Sequence, residues 1–235
     1  ISGYLALGGK LLLTGQDVGF WDSGLSALGY SKYYRRFLKV EAVEDDAGRA
    51  DVVGVENDLF QGLSLSINGP DSARNQTRPD AISLLDPRDA AILARYADDG
   101  DSAVRASGCQ AYCAVYLAAG LEGMGDSGSR AELLDRAITW LGSPQPAVSL
   151  DLYPLHQETV SRDSVITYTL QLRNLGSSRD RFTLELSGSD WPASIWNASF
   201  AQQIVQSMDL APCQTQTLGI RLAVPSSVSW NTSNF

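Results

Sequence analysis

An α/β domain with a mostly parallel sheet, followed by a smaller all-β sandwich, is the architecture this sequence predicts, divided as residues 1–143 and 144–235. Three observations carry that prediction. Lys10-Leu11-Leu12-Leu13-Thr14 is a short apolar run bounded by glycines that empties into the polar turn Gly15-Gln16-Asp17, the pattern of a buried parallel strand. A second such run, Cys113 to Gly120, leads through a turn containing Glu122 into a helical pattern, which repeats the strand-turn-helix unit of an α/β sheet. Beyond Gly142-Ser143-Pro144-Gln145-Pro146, a linker with two prolines, the texture changes to short alternating segments with no helical period.

The first region opens on Tyr4-Leu5-Ala6-Leu7, which suits a helix, before the first strand. Val40 to Val43, Val52 to Val55 and Leu63 to Ile67 are short strand candidates, and Asn68 to Asp80 is long and polar enough to be an insertion. Asp86 to Tyr96 is expected to be a helix, with Asp86 capping it and Pro87 in its first turn. Ala103 to Ser107 is expected to run as a strand into the Cys113 strand. Leu133, Leu134, Ala137, Ile138 and Leu141 recur at helical spacing, with Ser129 as N-cap and Gly142 as the stop. In the second region the alternation is clearest over Val165 to Leu172, returns in Arg181 to Leu186 and Thr217 to Val224, and turns at Asn174-Leu175-Gly176. Several short strands at this spacing mean a β-sandwich, and residues 228–235 read as the approach to a further strand that lies beyond the sequence.

Composition narrows the function. Eighteen basic against 27 acidic residues leave a net charge of −9, and Lys10, Lys32 and Lys39 are the only lysines, so no basic surface for nucleic acid or an anionic membrane is expected. No apolar run is long enough to span a bilayer. Asn75, Asn197 and Asn231 stand in Asn-x-Ser/Thr tripeptides, weak markers of surface loops.

Tyr4-Leu5 with Gly8-Gly9-Lys10-Leu11-Leu12-Leu13-Thr14-Gly15-Gln16-Asp17, then Val115-Tyr116-Leu117-Ala118-Ala119-Gly120-Leu121-Glu122, Leu133-Leu134 and Trp140-Leu141, form an unusual set. On these segments the first region resembles the class I glutamine amidotransferase-like superfamily, in the divergent branch found in large secreted bacterial proteins, several of them peptidases. The resemblance implies a flavodoxin-like sheet lacking its first βα unit and an extracellular or cell-surface location. The second region resembles the immunoglobulin-like modules appended to secreted hydrolases, through Asp190-Trp191-Pro192 and Leu210-Ala211-Pro212-Cys213 leading to Val224-Pro225. There Cys213 replaces a turn glycine and is expected to be exposed and unpaired.

The chemistry of that superfamily needs a Cys nucleophile on a strand-to-helix elbow, a His base and an acidic orienter. The one histidine, His156, lies beyond the linker, and Cys109 and Cys113 precede their strand rather than follow it, so no intact triad is expected. Cys109 and Cys113 suit a small disulfide loop, with two buried thiols next in order and a metal pair last, since no second ligand pair accompanies them. Asp98-Asp99-Gly100-Asp101-Ser102 lacks the spacing of a calcium loop and reads as a solvated turn. No metal and no cofactor are expected. Trp21, Tyr30, Tyr33, Tyr34 and Phe37 cluster after the first strand; Tyr33, Tyr34 and Phe37, at helical spacing, read as core, while Trp21 in a loop and the sandwich tryptophans Trp191, Trp196 and Trp230 stay open between core and a sugar-stacking role.

The carboxyl edge of a parallel sheet is where ligands sit, so Gly15, Gln16, Asp17, Trp21 (in a loop) and Glu122 are the candidate crevice. Two readings follow. The preferred one is a non-catalytic scaffold of a large secreted protein, accessory to a catalytic domain, with other domains of the same parent chain, a protein or a carbohydrate as partner. It predicts that these side chains are buried or mutually hydrogen-bonded. The alternative is a hydrolytic or small-ligand site, with Gln16, Asp17 and Glu122 converging on an open pocket.

Overall fold

The computed structural model describes residues 1–22, 33–48, 50–145, 147–153, 160–204 and 207–227. Tyr30, His156, Trp230, Asn231 and the 228–235 segment lie outside the described residues. The chain divides into two compact units, Ile1–Gln145 and Pro146–Phe235. Among the described residues no helix is long and apolar enough to cross a membrane.

The first unit is a mixed α/β layer. Its elements are α1 (Ser2–Ala6), β1 (Lys10–Thr14), α2 (Val18–Asp22), a π-helical turn Tyr34–Leu38, β2 (Val40–Glu44), β3 (Asp51–Gly54), β4 (Ser64–Ser66), β5 (Ala81–Leu84), β6 (Ala90–Tyr96), β7 (Asp101–Gly108), β8 (Tyr112–Leu117) and α3 (Ser127–Gly142). The sheet runs β1-β8-β7-β6-β3-β4, with β5 joining β7 and β2 joining β5. Among the described strands only β1 and β8 pair in parallel. The remaining pairs are antiparallel, which corrects the expected mostly parallel sheet.

The cause lies in residues 86–96. A parallel pair needs a crossover of a dozen residues or more, whereas a short turn closes only an antiparallel pair. The expected helix there is the strand β6: Ala90 and Ile92 pack into one core and Leu93, Ala94 and Tyr96 into the other, with a bulge between Ile92 and Ala94 where the pairing with β7 shifts. Asp86 caps no helix; its Oδ1 accepts from the Arg88 amide and Nε in a local turn. Asp98, Asp99 and Gly100 lie in the tight β6–β7 link as the expected turn, whereas Asp101, which pairs with Arg95 at 3.0 Å, and the buried Ser102 already belong to β7.

Strand β8 shows how the sheet is covered on both faces. Cys113, Val115 and Leu117 pack into a core under α3 with Leu93, Met124, Leu133 and Ala137. The intervening Ala114, Tyr116 and Ala118 pack into a second core with Tyr34, Leu38, Val40 and Ile82. Two-sided burial is what a continuous apolar run specifies. Helix α3 buries Leu133, Ala137 and Leu141, while Ile138 stays exposed. Its N-cap is Asp126, not Ser129: Asp126 Oδ1 accepts from the Gly128 amide at 2.9 Å, and its Oδ2 accepts from the Ser129 hydroxyl at 2.6 Å. These hydrogen bonds hold the Asp126 carboxyl below its usual range.

The cysteine expectations are also corrected. Cys113 is a free, buried thiol, 3.8 Å from the Leu141 carbonyl oxygen, because strand alternation turns it into the core under α3. Cys109, in the 3-10 turn before β8, is disulfide-bonded, so the Cys109–Cys113 clip is not formed. Cys213 is disulfide-bonded as well, not unpaired, and its φ of 65° is the left-handed conformation of a turn glycine.

The second unit is built of β9 (Val148–Tyr153), β10 (Val165–Asn174), β11 (Asp180–Phe182), β12 (Ala193–Asn197), β13 (Met208–Leu210) and β14 (Thr215–Ala223). Four strands form a sheet in the order β12-β14-β10-β9, and β11 pairs with β13 in a second. Leu170, Leu172, Ile195 and Leu218 of the larger sheet share one core with Phe182, Met208 and Leu210 of the smaller. Buried Asn174 ties the turn after β10, its Nδ2 donating to the Ser178 and Leu210 carbonyls at 2.9 Å each. Trp196 lies under the Arg221 guanidinium, 4.1 Å from its ring centre.

Candidate functional site

The parallel register sets Thr14 against Leu117, so β1 and β8 deliver their carboxyl ends side by side. Gly15 follows at φ 155°, a conformation glycine adopts readily, with its amide on the Leu117 carbonyl at 3.2 Å. The two strand ends then diverge in their partners, and the expected crevice residues fall into three groups.

Gln16 and Glu122 hold the 68–80 loop. Gln16 Oε1 accepts from the backbone amides of Thr77 at 2.7 Å and Arg78 at 3.0 Å. Glu122 Oε1 accepts from Asn75 Nδ2 at 3.2 Å and Gln76 Nε2 at 3.0 Å. Gln76 in turn accepts from the Gly120 amide at 2.6 Å, and Asn68 pairs with the Gln76 backbone through both its oxygen and its nitrogen. The loop is thus laced across the carboxyl edge of β1 and β8 by its own amides. Trp21 belongs to neither group: it sits in α2 rather than in a loop, 53 % exposed, edge-on to Phe20 at 5.2 Å.

Asp17 turns to a different set. With φ 61° it ends the turn after β1, and its carboxylate meets those of Asp45 and Asp80, one oxygen from each lying within 4.8 Å of the others. The fold places all three. Asp45 directly follows β2 and Asp80 directly precedes β5, and the antiparallel register of Glu44 with Ala81 makes them neighbours. The Asp80 amide donates to the Ala118 carbonyl at 3.0 Å, hooking it to the end of β8.

Asp80 is wholly buried. Its Oδ2 accepts from the Gly19 amide at 2.8 Å, Tyr96 donates to its backbone carbonyl at 2.7 Å, and its Oδ1 has no hydrogen-bond partner. Its pKa is pushed up to about 7, chiefly by burial, with repulsion from Asp17 and Asp45 adding to it and the Gly19 bond opposing. Beneath it, Tyr34 and Tyr116 meet edge to face at 5.5 Å, and burial drives the Tyr116 hydroxyl well above the usual phenol range. Three carboxylates and buried phenols can bind a hard cation or share a proton.

Asp45 and Asp80 were missed in the sequence, although each is an aspartate placed at the end of an apolar strand run. What the sequence does not show is the β2–β5 pairing that joins them.

No protein-family model matches this chain, and no curated protein matches it. Among solved structures it is similar to a β-galactosidase from Rahnella sp. R3, with 16 % identity and a TM-score of 0.38 over 93 % of this chain and 29 % of that one. A β-galactosidase from Bacillus circulans sp. alkalophilus gives 16 % identity and 0.38 over 91 % and 29 %. Gan42B, a GH42 β-galactosidase, gives 15 % and 0.37 over 92 % and 28 %. The chain therefore spans less than a third of the length of these structures.

Proposed function

We propose that this chain is a non-catalytic scaffold and interaction region of a larger secreted or cell-surface protein. In this reading an amidotransferase-like domain whose strand-end crevice is filled by its own 75–78 segment is joined to an immunoglobulin-like sandwich. The observation that supports it is Gln16, whose side-chain oxygen accepts two backbone amides of that segment. A hydrolytic site needs a nucleophile, a base in hydrogen-bond reach and room for substrate. Gln16 and Glu122 instead satisfy loop donors. A disulfide at Cys109 suits an oxidising compartment. The partners are other domains of the parent chain, with a protein or carbohydrate meeting the exposed Trp21 side.

The test is a turnover panel on the purified chain: glutamine, nitrophenyl esters and aryl glycosides. No release above buffer is expected. Saturable turnover that disappears in Gln16→Ala or Asp17→Asn overturns the reading in favour of a hydrolytic site at this edge.

A further inference from the structure

We propose that Asp17, Asp45 and Asp80 hold a hard divalent cation, calcium or magnesium, that ties the ends of β1, β2 and β5 together. The proposal stands whether or not the domain is catalytic. Its geometric basis is that one carboxylate oxygen from each residue lies within 4.8 Å of the others. Carboxylate oxygens grouped this closely can share one hard cation, calcium at about 2.4 Å or magnesium at about 2.1 Å from each ligand. All-carboxylate ligands select calcium or magnesium over the softer metals.

A second observation is separate from the clustering. The Asp80 side chain is 0 % exposed and its Oδ1 has no donor, and Asp45 Oδ1 is likewise buried without a donor. Buried polar oxygens are almost always satisfied, so two left open in one cluster are positions for a ligand. Arg78 does not fill that role: it is 59 % exposed and meets Asp45 through the other oxygen, Oδ2, at 3.1 Å. The Asp80 Oδ2 bond from Gly19 leaves Oδ1 as the ligand atom and fixes the carboxylate's orientation, as the partners of metal ligands do.

The experiment uses the full chain stripped with EDTA and followed by thermal unfolding and isothermal titration with calcium chloride or magnesium chloride alone, at constant ionic strength. A saturable rise in Tm of about 5–10 °C is expected at a hundredfold excess over Kd. Asp17→Asn and Asp80→Asn, each of which relieves repulsion and so keeps the fold, are expected to lose that response and the binding heat. A response to magnesium in place of calcium supports the same site with a smaller ion. Absence of a saturable response to either ion up to about 10 mM, or a response that survives in both variants, overturns the proposal.

Discussion

The amide of Gly19 and the carboxylate of Asp80 are locked together at 2.8 Å, and a Cβ on Gly19 would come within 2.8 Å of that same carboxylate oxygen. The site therefore depends on a backbone approach that only glycine permits. That Cβ would also meet the Tyr34 hydroxyl and Ala42 Cβ at 2.8 Å. Overpacking of this kind costs about 1–3 kcal/mol, so Gly19→Ala is expected to lower the denaturant midpoint without altering the slope. An unchanged midpoint would mean that α2 moves freely away from Asp80.

Asp80 sets a pH dependence whose sign follows from its raised pKa. In the absence of divalent ions the unfolded chain loses the Asp80 proton near 3.8 and the folded chain near 7. Between those values the folded state holds the extra proton, so stability falls as pH rises through the window and levels off above it. The shift corresponds to a loss on the order of 4 kcal/mol across the window. Asp80→Asn, which stays neutral and keeps an oxygen for Gly19, is expected to flatten this part of the profile and to be more stable than the parent at pH 8 in EDTA. Urea unfolding from pH 4 to 8 reads both. A parent profile that rises from pH 4 to 7 and matches that of Asp80→Asn contradicts the assignment.

Ser102 has a buried hydroxyl with no partner, beside a small apolar void that Phe60, Leu65, Leu117 and Leu133 also line. An unsatisfied buried hydroxyl costs about 1–3 kcal/mol when no water reaches it. Ser102→Ala is accordingly expected to unfold at equal or higher urea concentration. A loss of stability beyond 1 kcal/mol or so would show that a bound water satisfies the hydroxyl.

Cys113 is the one free thiol, buried under α3, and burial raises its pKa. Iodoacetamide is expected to leave the folded chain unmodified and to add one alkyl group after unfolding without reductant, as intact-mass measurement would show. Two or more additions under non-reducing conditions would contradict the disulfide state of Cys109 and Cys213.

The legible parts of the fold were those written in local pattern. The Leu11 to Leu13 run and the Val115 to Leu117 run gave neighbouring parallel strands, the first an edge strand only half-buried and the second buried on both faces, and Leu133, Ala137 and Leu141 gave a helix. Residues 86–96 were misread because Ala90, Ile92, Leu93 and Tyr96 fit a helical stripe nearly as well as a strand. Pairing with β7 and β3 decides between them, and that is a tertiary fact. Asp17 was legible from its place after β1, but its partners arrive from residues 28 and 63 positions further on, through a register that no local pattern carries. Gln16 was legible as an edge residue and not as a loop anchor, since its partners are backbone amides that any residue type supplies.

The filling of the strand-end crevice by the chain itself is tested most directly by amide hydrogen exchange at Thr77, Arg78 and Gly120. In the parent protein without ligand all three are expected to be protected, because Gln16 and Gln76 accept their hydrogens. Gln16→Ala is expected to release Thr77 and Arg78 at a cost of about 1 kcal/mol, a roughly fivefold loss of protection, while Gly120 stays slow. Exchange at intrinsic rates in the parent protein at all three positions would mean that the segment is an open lid over a working site, contrary to the scaffold reading.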